Sequence, residues 1–566
     1  MERIWLKHYP SGVPAEVDLS RAASLTDVLE QSCRRFADLP AFSNMGTSMS
    51  YAELDRRSRA FGAWLQQQAD LERGDRVALM MPNLLQYPVA MFGALRAGMT
   101  VVNVNPLYTA RELQHQLQDS GAKVIVVLEN FAHTLQEVLD RTAVRHVVST
   151  RIGDMLSFPS GLVVNLAAKY LKGMVPSWHI PQAVEFAEAL ARGGRGTLRS
   201  VAVGPQDIAF LQYTGGTTGV PKGAMLTHAN MVANLEQTAA WIGQNLREGG
   251  EIIVTALPLY HVFALTTNLL TFFKLGAHNV LITNPRDIDG LIKELKRVPF
   301  TVITGVNTLF NAMLNAPGIR EINAGTLKLA VAGGMAVQRA VADRWQQLFG
   351  IPLIEGYGLT ETSPIVCANP LDTKAFEGSI GLPLPSTDVW IRDEQGGELP
   401  VGEIGEICVR GPQVMRGYWN NPEETRNVLS ADRWLRTGDL GFMNEQGFVK
   451  LVDRRKDMIV VSGFKVFPNE IEDVAAAHPD VLEAAAIGVP NPHSGDAVAL
   501  VVVLRRPGLT AGDLIAHCRR HLTAYKVPQE VVFRDAPLPK TNIGKILRRQ
   551  IRDEELARRT GVVAVS

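Results

Sequence analysis

RVALMM (76–81), LLQYPVAMFGALRAG (84–98), TVVNVNP (100–106), ARELQHQLQDSG (110–121) and KVIVVLE (123–129) follow one another along a single stretch of chain. The first, third and last are short apolar runs, of a length that suits a buried strand. The second and fourth are longer and carry helical spacing. Alternation of this kind is the signature of βαβ units and a parallel sheet. It resumes at EIIVTALP (251–258), FTVITGV (300–306) and LKLAVAGG (327–334), so two such sheets are expected rather than one.

After about Phe376 the texture changes. SIGLPLP (379–385), TDVWIRD (387–393), GEIGEICVRG (402–411) and GFVKLVD (447–453) are glycine-rich and strand-like, and predict a smaller, mainly β subdomain. From Asp457 onward short strands, MIVVS (458–462), AAAIGVP (484–490) and AVALVVVL (497–504), mix with two helices. Asn469 with Glu472, and Thr510 with Asp513, have capping-box spacing and mark where those helices begin. The fold class expected is α/β: a large N-terminal domain over 1–455, with two βαβ-type subdomains and a small β subdomain, then a small α+β domain over 456–566. The charged run Asp453-Arg-Arg-Lys-Asp457 is the junction.

Composition narrows the function classes. The 566 residues exceed what one core supports, and 46% hydrophobic with 20% charged residues describes an ordinary globular chain. Lys plus Arg equals Asp plus Glu at 57 each, so no overall field exists to hold nucleic acid. Cys33, Cys367, Cys408 and Cys518 lie far apart without a CxxC pair, which argues against a zinc site or a disulfide framework and suits a reducing cytoplasm. The first twenty residues lack the apolar stretch of a signal peptide. The most apolar segment, 155–175, is interrupted by Pro159, Gly161, Asn165, Lys169 and Lys172. General experience favours a buried helix between subdomains there. The alternative is an amphipathic helix on an anionic membrane surface, placing the protein peripherally on the inner face of the cytoplasmic membrane.

The densest chemistry lies in Tyr213-Thr214-Gly215-Gly216-Thr217-Thr218-Gly219-Val220-Pro221-Lys222-Gly223-Ala224, just after the strand-like IAFLQ (208–212). Glycines let successive backbone N–H groups turn toward one point, threonine hydroxyls add donors, and Lys222 adds a full charge. Triphosphate is the natural guest. The spacing is not G-x-x-x-x-G-K-[ST], so kinase-like and GTPase-like readings lose ground.

Here the chain resembles the adenylate-forming superfamily of acyl-CoA synthetases, luciferases and peptide-synthetase adenylation domains, across nearly its whole length. The carrying motifs are the loop above and Glu355-Gly356-Tyr357-Gly358-Leu-Thr360-Glu361-Thr-Ser363. With them stand Ala332-Gly333-Gly334-Met335, Trp434-Leu-Arg-Thr-Gly-Asp439, the 453–457 run and Pro539-Lys-Thr-Asn-Ile-Gly-Lys545. The resemblance implies that Tyr357 stacks on adenine, Thr360 contacts the α-phosphate, and Glu361 with Thr214 holds Mg²⁺. It implies that Gly333 and Gly334 wall the adenine pocket and that Asp439 and Arg454 bind ribose. Lys456 becomes the hinge, and Lys545 the catalytic lysine bridging carboxylate and α-phosphate. In the thiol half of the reaction the small domain turns, and Ser462, Gly463, Phe464 and Lys465 face the site on its CoA side.

Pro258-Leu-Tyr-His-Val-Phe-Ala-Leu265 resembles the family motif on the acyl side of the pocket, which implies that His261 positions the carboxylate or closes the pocket during adenylation, with Phe263 and Leu265 lining the acyl pocket. FALTTNLLTFFKLGA (263–277) carries no charge before Lys274, which suits an alkyl chain better than an amino acid. LVDRRKDMIVVSGFKVFPNEIEDV (451–474) and NVNPLYTARELQHQL (103–117) look like bacterial long-chain fatty-acid–CoA ligases. Arg455 and Gly215 depart from the common lysine and serine without removing a functional group. The implied substrates are fatty acid, ATP and CoA, with Mg²⁺. A fatty-acyl-AMP ligase loading a carrier protein, a medium-chain acyl-CoA synthetase and a lipid-binding scaffold are the alternatives. Chain length and oligomeric state, a homodimer included, are not legible.

Overall fold

In the computed structural model, which describes residues 2–214, 221–491 and 494–560, the alternating runs become two largely parallel sheets. Among the described residues the first has seven strands in the spatial order Val184–Glu185, His146–Thr150, Val124–Leu128, Arg76–Met80, Thr100–Asn103, Ile208–Thr214 and Lys222–Thr227. Only the last pairing is antiparallel. The connecting helices Gln86–Arg96 and Ala110–Ser120 fall where the spacing put them. Thr109 and Glu112 close a reciprocal capping box on the second, and Gly121 ends it in the left-handed conformation.

The second sheet has nine strands, centred on Ile252–Thr255, Val302–Gly305, Leu329–Gly333 and Leu353–Gly358, all parallel. One edge comes from a distant part of the chain, because the hairpin of Pro40–Asn44 and Thr47–Ser50 docks parallel to His278–Leu281. At the other edge Leu382–Pro383 pairs with Ile365–Ala368. SIGLPLP therefore belongs to the large sheet and not to the β subdomain. The subdomain itself is a four-stranded antiparallel sheet of Asp388–Arg392, Gly405–Arg410, Leu435–Met443 and Val449–Arg454.

The small domain carries five strands, with Val481–Asn491 and Gly495–Leu504 as its central hairpin. Helix Ala511–His521 starts at Thr510, whose side chain accepts from the Asp513 N–H, as expected. The other start differs. Helix Pro468–Ala476 has Phe467 at its N-cap with no side-chain cap. Asn469 instead gives its backbone N–H to Asp453 and its amide to the Val452 carbonyl. It is used to dock the helix on the large domain.

Fully buried hydrophobic side chains of the main core run from Trp5 to Val449. Those from Ile459 to Ile551 form two further clusters, one on each face of the five-stranded sheet. Among the described residues no hydrophobic cluster spans both domains.

Candidate active site

A cleft of about 1130 Å³ opens where the C-terminal ends of the large-domain strands meet the small domain. This is where open parallel sheets place their ligands, since the loops leaving the strands are free to vary there.

Strand Leu353–Gly358 delivers Glu355, Gly356, Tyr357 and Gly358 to the cleft wall, and the 3₁₀ turn Thr360–Thr362 follows at once. The Tyr357 hydroxyl donates to Asp439 Oδ2 at 2.6 Å. Arg454 lies across the antiparallel pair from Asp439, and its Nε is 3.5 Å from Oδ1. Burial raises the Asp439 carboxyl above its ordinary value, and Arg454 opposes that. Glu361 accepts from the Tyr418 hydroxyl at 2.7 Å. Lys222 sits opposite Thr214 in the strand pair and is ion-paired with Glu424, above the Tyr418 ring. Glu355 is held by the Val337 N–H at 3.1 Å, and burial pushes its carboxyl up to about 8.

From the small domain a tight turn over 539–547 inserts Lys545. The turn closes through Thr541 N–H to the Lys545 carbonyl (2.8 Å) and Leu547 N–H to the Pro539 carbonyl (2.9 Å). Gly544 has φ +86°, and a Cβ there would lie 2.5 Å from Thr308 Oγ1, so no side chain fits. Thr308 donates to the Gly544 carbonyl at 2.9 Å. Gly334, at φ +79°, lies beneath the lysine, its Cβ position 3.6 Å from Lys545 Cε. Burial, with Arg454 next, pushes the Lys545 ammonium down to about 8, although Asp439 and Glu361 pull it up.

His261 also faces the cleft. Its Nδ1 accepts from the Phe263 N–H at 3.3 Å, which leaves the proton on Nε2. Burial and the nearby Lys545 hold the imidazole neutral, its pKa lowered to about 3. Phe263 lines the cleft, and its ring lies 3.0 Å from where a Cβ on Gly333 would stand. The chain continues into a fully buried π-helix, Ala264–Thr271.

A second group of lining residues is apolar: Trp241, Ile242, Ile365, Ala368, Leu371 and Leu384. They come from the end of helix His228–Ile242, from strand Ile365–Ala368 and from the chain that follows it.

The cleft thus collects Tyr213, Thr214, Lys222, Gly333, Gly334, Thr360, Glu361, Asp439, Arg454, Lys456 and Lys545, all singled out in the sequence. Gly215, Gly216, Thr217, Thr218, Gly219 and Val220 lie outside the described residues. Pro221, Gly223 and Ala224 do not line the cleft. Gly223 is packed against the Tyr213 ring, Ala224 is fully buried, and the Pro221 carbonyl faces His115. Leu265 is buried in the core rather than at the acyl surface, because the helix turns it away.

Ser462 and Gly463, with φ of +49° and +84°, form the two-residue turn between Ile459–Val461 and Phe464–Val466. Residues 462–465 are exposed, outside the cleft, with Phe464 stacked on Tyr525 at 4.7 Å. In this arrangement Lys545 is in and the hairpin is out.

Sequence reasoning missed Tyr418, Glu424, Trp241 and Arg548. Arg548 sets two bonds on Glu472, at 2.7 and 2.6 Å, and reaches Asp453 at 2.9 Å and Asp457 at 3.4 Å. Its guanidinium is held well above its ordinary value by these carboxylates, against the effect of burial. Its only sequence signal is an arginine three residues after Lys545.

Residues 29–419 match the AMP-binding enzyme family, and 470–545 match the AMP-binding enzyme C-terminal domain. The chain is 58% identical over 554 residues to a long-chain-fatty-acid–CoA ligase of Escherichia coli O6:H1, covering 98% of each chain. A ligase of the same name from Haemophilus influenzae is 53% identical over 564 residues, covering 99% of this chain and all of that one. Among solved structures, the anthranilate CoA ligase AuaEII in complex with anthranoyl-AMP shares the fold, with a TM-score of 0.85 at 24% identity over 96% of this chain and 99% of that one.

Proposed function

The chain belongs to the AMP-binding enzyme family, and we propose that it is a long-chain fatty-acid–CoA ligase. The observation that supports this reading is that Lys545, Asp439, Tyr357 and Glu361 line the same cleft as an apolar group around Trp241, Ile242, Leu371 and Leu384.

In the first half-reaction a carboxylate oxygen attacks the α-phosphorus of ATP, the bond to the β-phosphate breaks, and pyrophosphate leaves an acyl-adenylate. Little covalent work falls to the protein in such a transfer; positioning and charge neutralisation do most of it. Lys545 brings its charge to the side of the cleft where negative charge gathers. The Nε2–H of neutral His261 is a donor for the carboxylate, and it does not compete with Lys545 as a second cation. Asp439 and Arg454 hold ribose, with the Gly333–Gly334 and Gly356–Gly358 backbones against the base. The apolar group around Trp241 and Leu384 takes the alkyl chain, where a charged acid would have no partner.

Among the described residues no cluster of three or more His, Cys, Asp or Glu could bind a metal on its own. That donor set fits Mg²⁺ arriving on phosphates, which needs few protein oxygens. Glu361 and Thr214 would hold it, and it would supply charge neutralisation at the phosphates.

In the second half-reaction the thiol of CoA loses its proton, sulfur bonds to the acyl carbon, and AMP leaves. For this the small domain pivots at Lys456, at the 455/456 boundary, so that Lys545 withdraws and Ser462, Gly463, Phe464 and Lys465 take its place. Action on the inner face of the cytoplasmic membrane, where long-chain acids partition, belongs to the same reading.

Incubation with ATP, Mg²⁺ and palmitate, with and without CoA, tests it. CoA-dependent AMP release is expected. Pyrophosphate release indifferent to CoA would move the chain to the carrier-loading acyl-AMP ligases, and no turnover would leave a lipid-binding scaffold. Competition among C6 to C18 acids separates long-chain from medium-chain preference.

A further inference from the structure

The segment 158–174 wears its helix inside out. Seven of the fifteen exposed large hydrophobic side chains among the described residues lie in it: Phe158, Leu162, Val163, Leu166, Tyr170, Leu171 and Met174. Phe158, Tyr170 and Leu171 are 87%, 72% and 84% exposed. A contiguous apolar patch of this kind is uncommon on a monomer surface and marks a place of contact.

The exposure does not come from a loose strand of chain, because the inward face is tied down at several points. Asn165, on that face, accepts from the Gly153 N–H at 2.7 Å and donates to Asp154 at 3.1 Å. Gly161 and Gly153 pack backbone to backbone, where a Cβ on either would stand within 2.4 Å of the other's carbonyl oxygen. Ala168 is buried, and the Met174 carbonyl accepts from the Asn130 amide at 2.9 Å. The polar side chain thus faces the protein and the apolar ones face outward.

Charge decides what covers them. From residue 155 to 184 there is no Asp or Glu, while Lys169 and Lys172 are both exposed beside the patch. The acidic groups nearest in sequence are Asp154, tied to Arg151 and Asn165, and Glu185, whose exposed carboxylate lies 3.5 Å from Arg151; Glu129, a neighbour of Lys169 in space, is itself buried. An apolar stripe flanked by lysines with no acid to repel phosphate is the surface of a helix that lies in a lipid interface. We infer that residues 158–174 dock this chain on an anionic bilayer, seating Phe158, Tyr170 and Leu171 among the acyl chains and Lys169 and Lys172 at the headgroups.

This docking deepens the fatty-acid reading, since the acid proposed as substrate dissolves in the same bilayer. It fails or stands separately from that reading, because CoA-dependent ligation of micellar palmitate needs no vesicle.

The test is flotation of the full chain with phosphatidylcholine vesicles that contain or lack phosphatidylglycerol. The wild-type chain is expected to float with the anionic vesicles. F158S/Y170S/L171S, altered at side chains with few native contacts, is expected to lose binding tenfold or more. K169Q/K172Q should lose the anionic preference by about fivefold per lysine while keeping its thermal midpoint. Both variants should ligate micellar palmitate as the wild type does. A wild-type chain that does not float, or a triple variant that floats like it, overturns the inference. So does a triple variant that changes only the sedimentation coefficient, which would make the patch a contact between copies of the chain. Loss of micellar activity in the wild type would instead sink the ligase reading alone.

Discussion

The two walls of the cleft are built differently. On the large-domain side each functional group stands on a strand or turn backed by the main core: Tyr357 and Glu355 on Leu353–Gly358, Asp439 on Leu435–Met443. Among the described residues the small-domain wall shares no hydrophobic cluster with the large domain and is held to it by hydrogen bonds and ion pairs. Thr308 holds the Gly544 carbonyl, Arg286 holds Asn542 at 2.8 Å, Asn311 holds the Leu482 carbonyl at 3.1 Å, and Arg548 bridges to Asp453. Polar contacts trade readily for water, each worth on the order of 1 kcal/mol net, whereas a shared hydrophobic core does not. One wall is fixed, and the other can be let go.

The sharpest way to break this contrast is Lys545→Ala. Removing a preorganised charge is expected to slow adenylation by roughly 10²–10³ or more. Thioester formation from supplied acyl-AMP should persist, because the lysine is withdrawn in that half. Equal loss in both halves, measured by pyrophosphate exchange and by CoA consumption, would mean that one conformation serves both.

Arg548→Gln comes next. It leaves Asp453, Glu472 and Asp457 facing one another without their cation, and breaking such a buried network typically costs about 3–5 kcal/mol. Adenylation should fall roughly 10- to 100-fold, and acyl-AMP thiolysis less, with partial rescue by Arg548→Lys. An unchanged ratio of the two half-reactions would reduce Arg548 to a stabilising residue of the small domain.

pH gives a third test. Lys545, pushed down to about 8, is charged below that pH and neutral above it. The kcat/KM of adenylation for ATP should therefore fall about tenfold per unit as pH rises past 8, while thiolysis of acyl-AMP loses nothing from this group. ATP phosphates favour the ammonium, so nucleotide binding near pH 9 should take up a proton, visible by calorimetry in buffers of differing ionisation enthalpy. Proton release on binding would contradict the placement. The smallest effect is expected from Thr308→Val, which removes a single bond to Gly544. About fivefold or less in adenylation, with no change in melting temperature, fits a releasable contact.

How much of this was legible in the sequence follows the reach of each interaction. Strands such as Arg76–Met80 and Val302–Gly305 declare themselves because apolar runs and helical spacing are local. Placement of Pro40–Asn44 beside His278–Leu281 is not local, and neither is Leu382–Pro383 on the large sheet. Tyr418 on Glu361 and Glu424 on Lys222 are partners that no spacing rule links. Asn469 had the sequence of a cap, yet Asp453 and Val452 took its groups. Leu265 shares a motif with Phe263 but a helix sends the two in different directions. The segment 158–174 shows the same limit: its composition favours a buried helix between subdomains, whereas Phe158, Leu162, Leu166, Tyr170 and Leu171 look outward, and only the tertiary fold decides that.

The pairs Tyr357–Asp439, Tyr418–Glu361 and Lys222–Glu424 have a consequence for the resting protein. Tyr357, Tyr418 and Lys222 already direct their polar groups at Asp439, Glu361 and Glu424, neighbours in the same cleft. A nucleotide enters by partner exchange, so its net affinity is far less than the sum of its contacts.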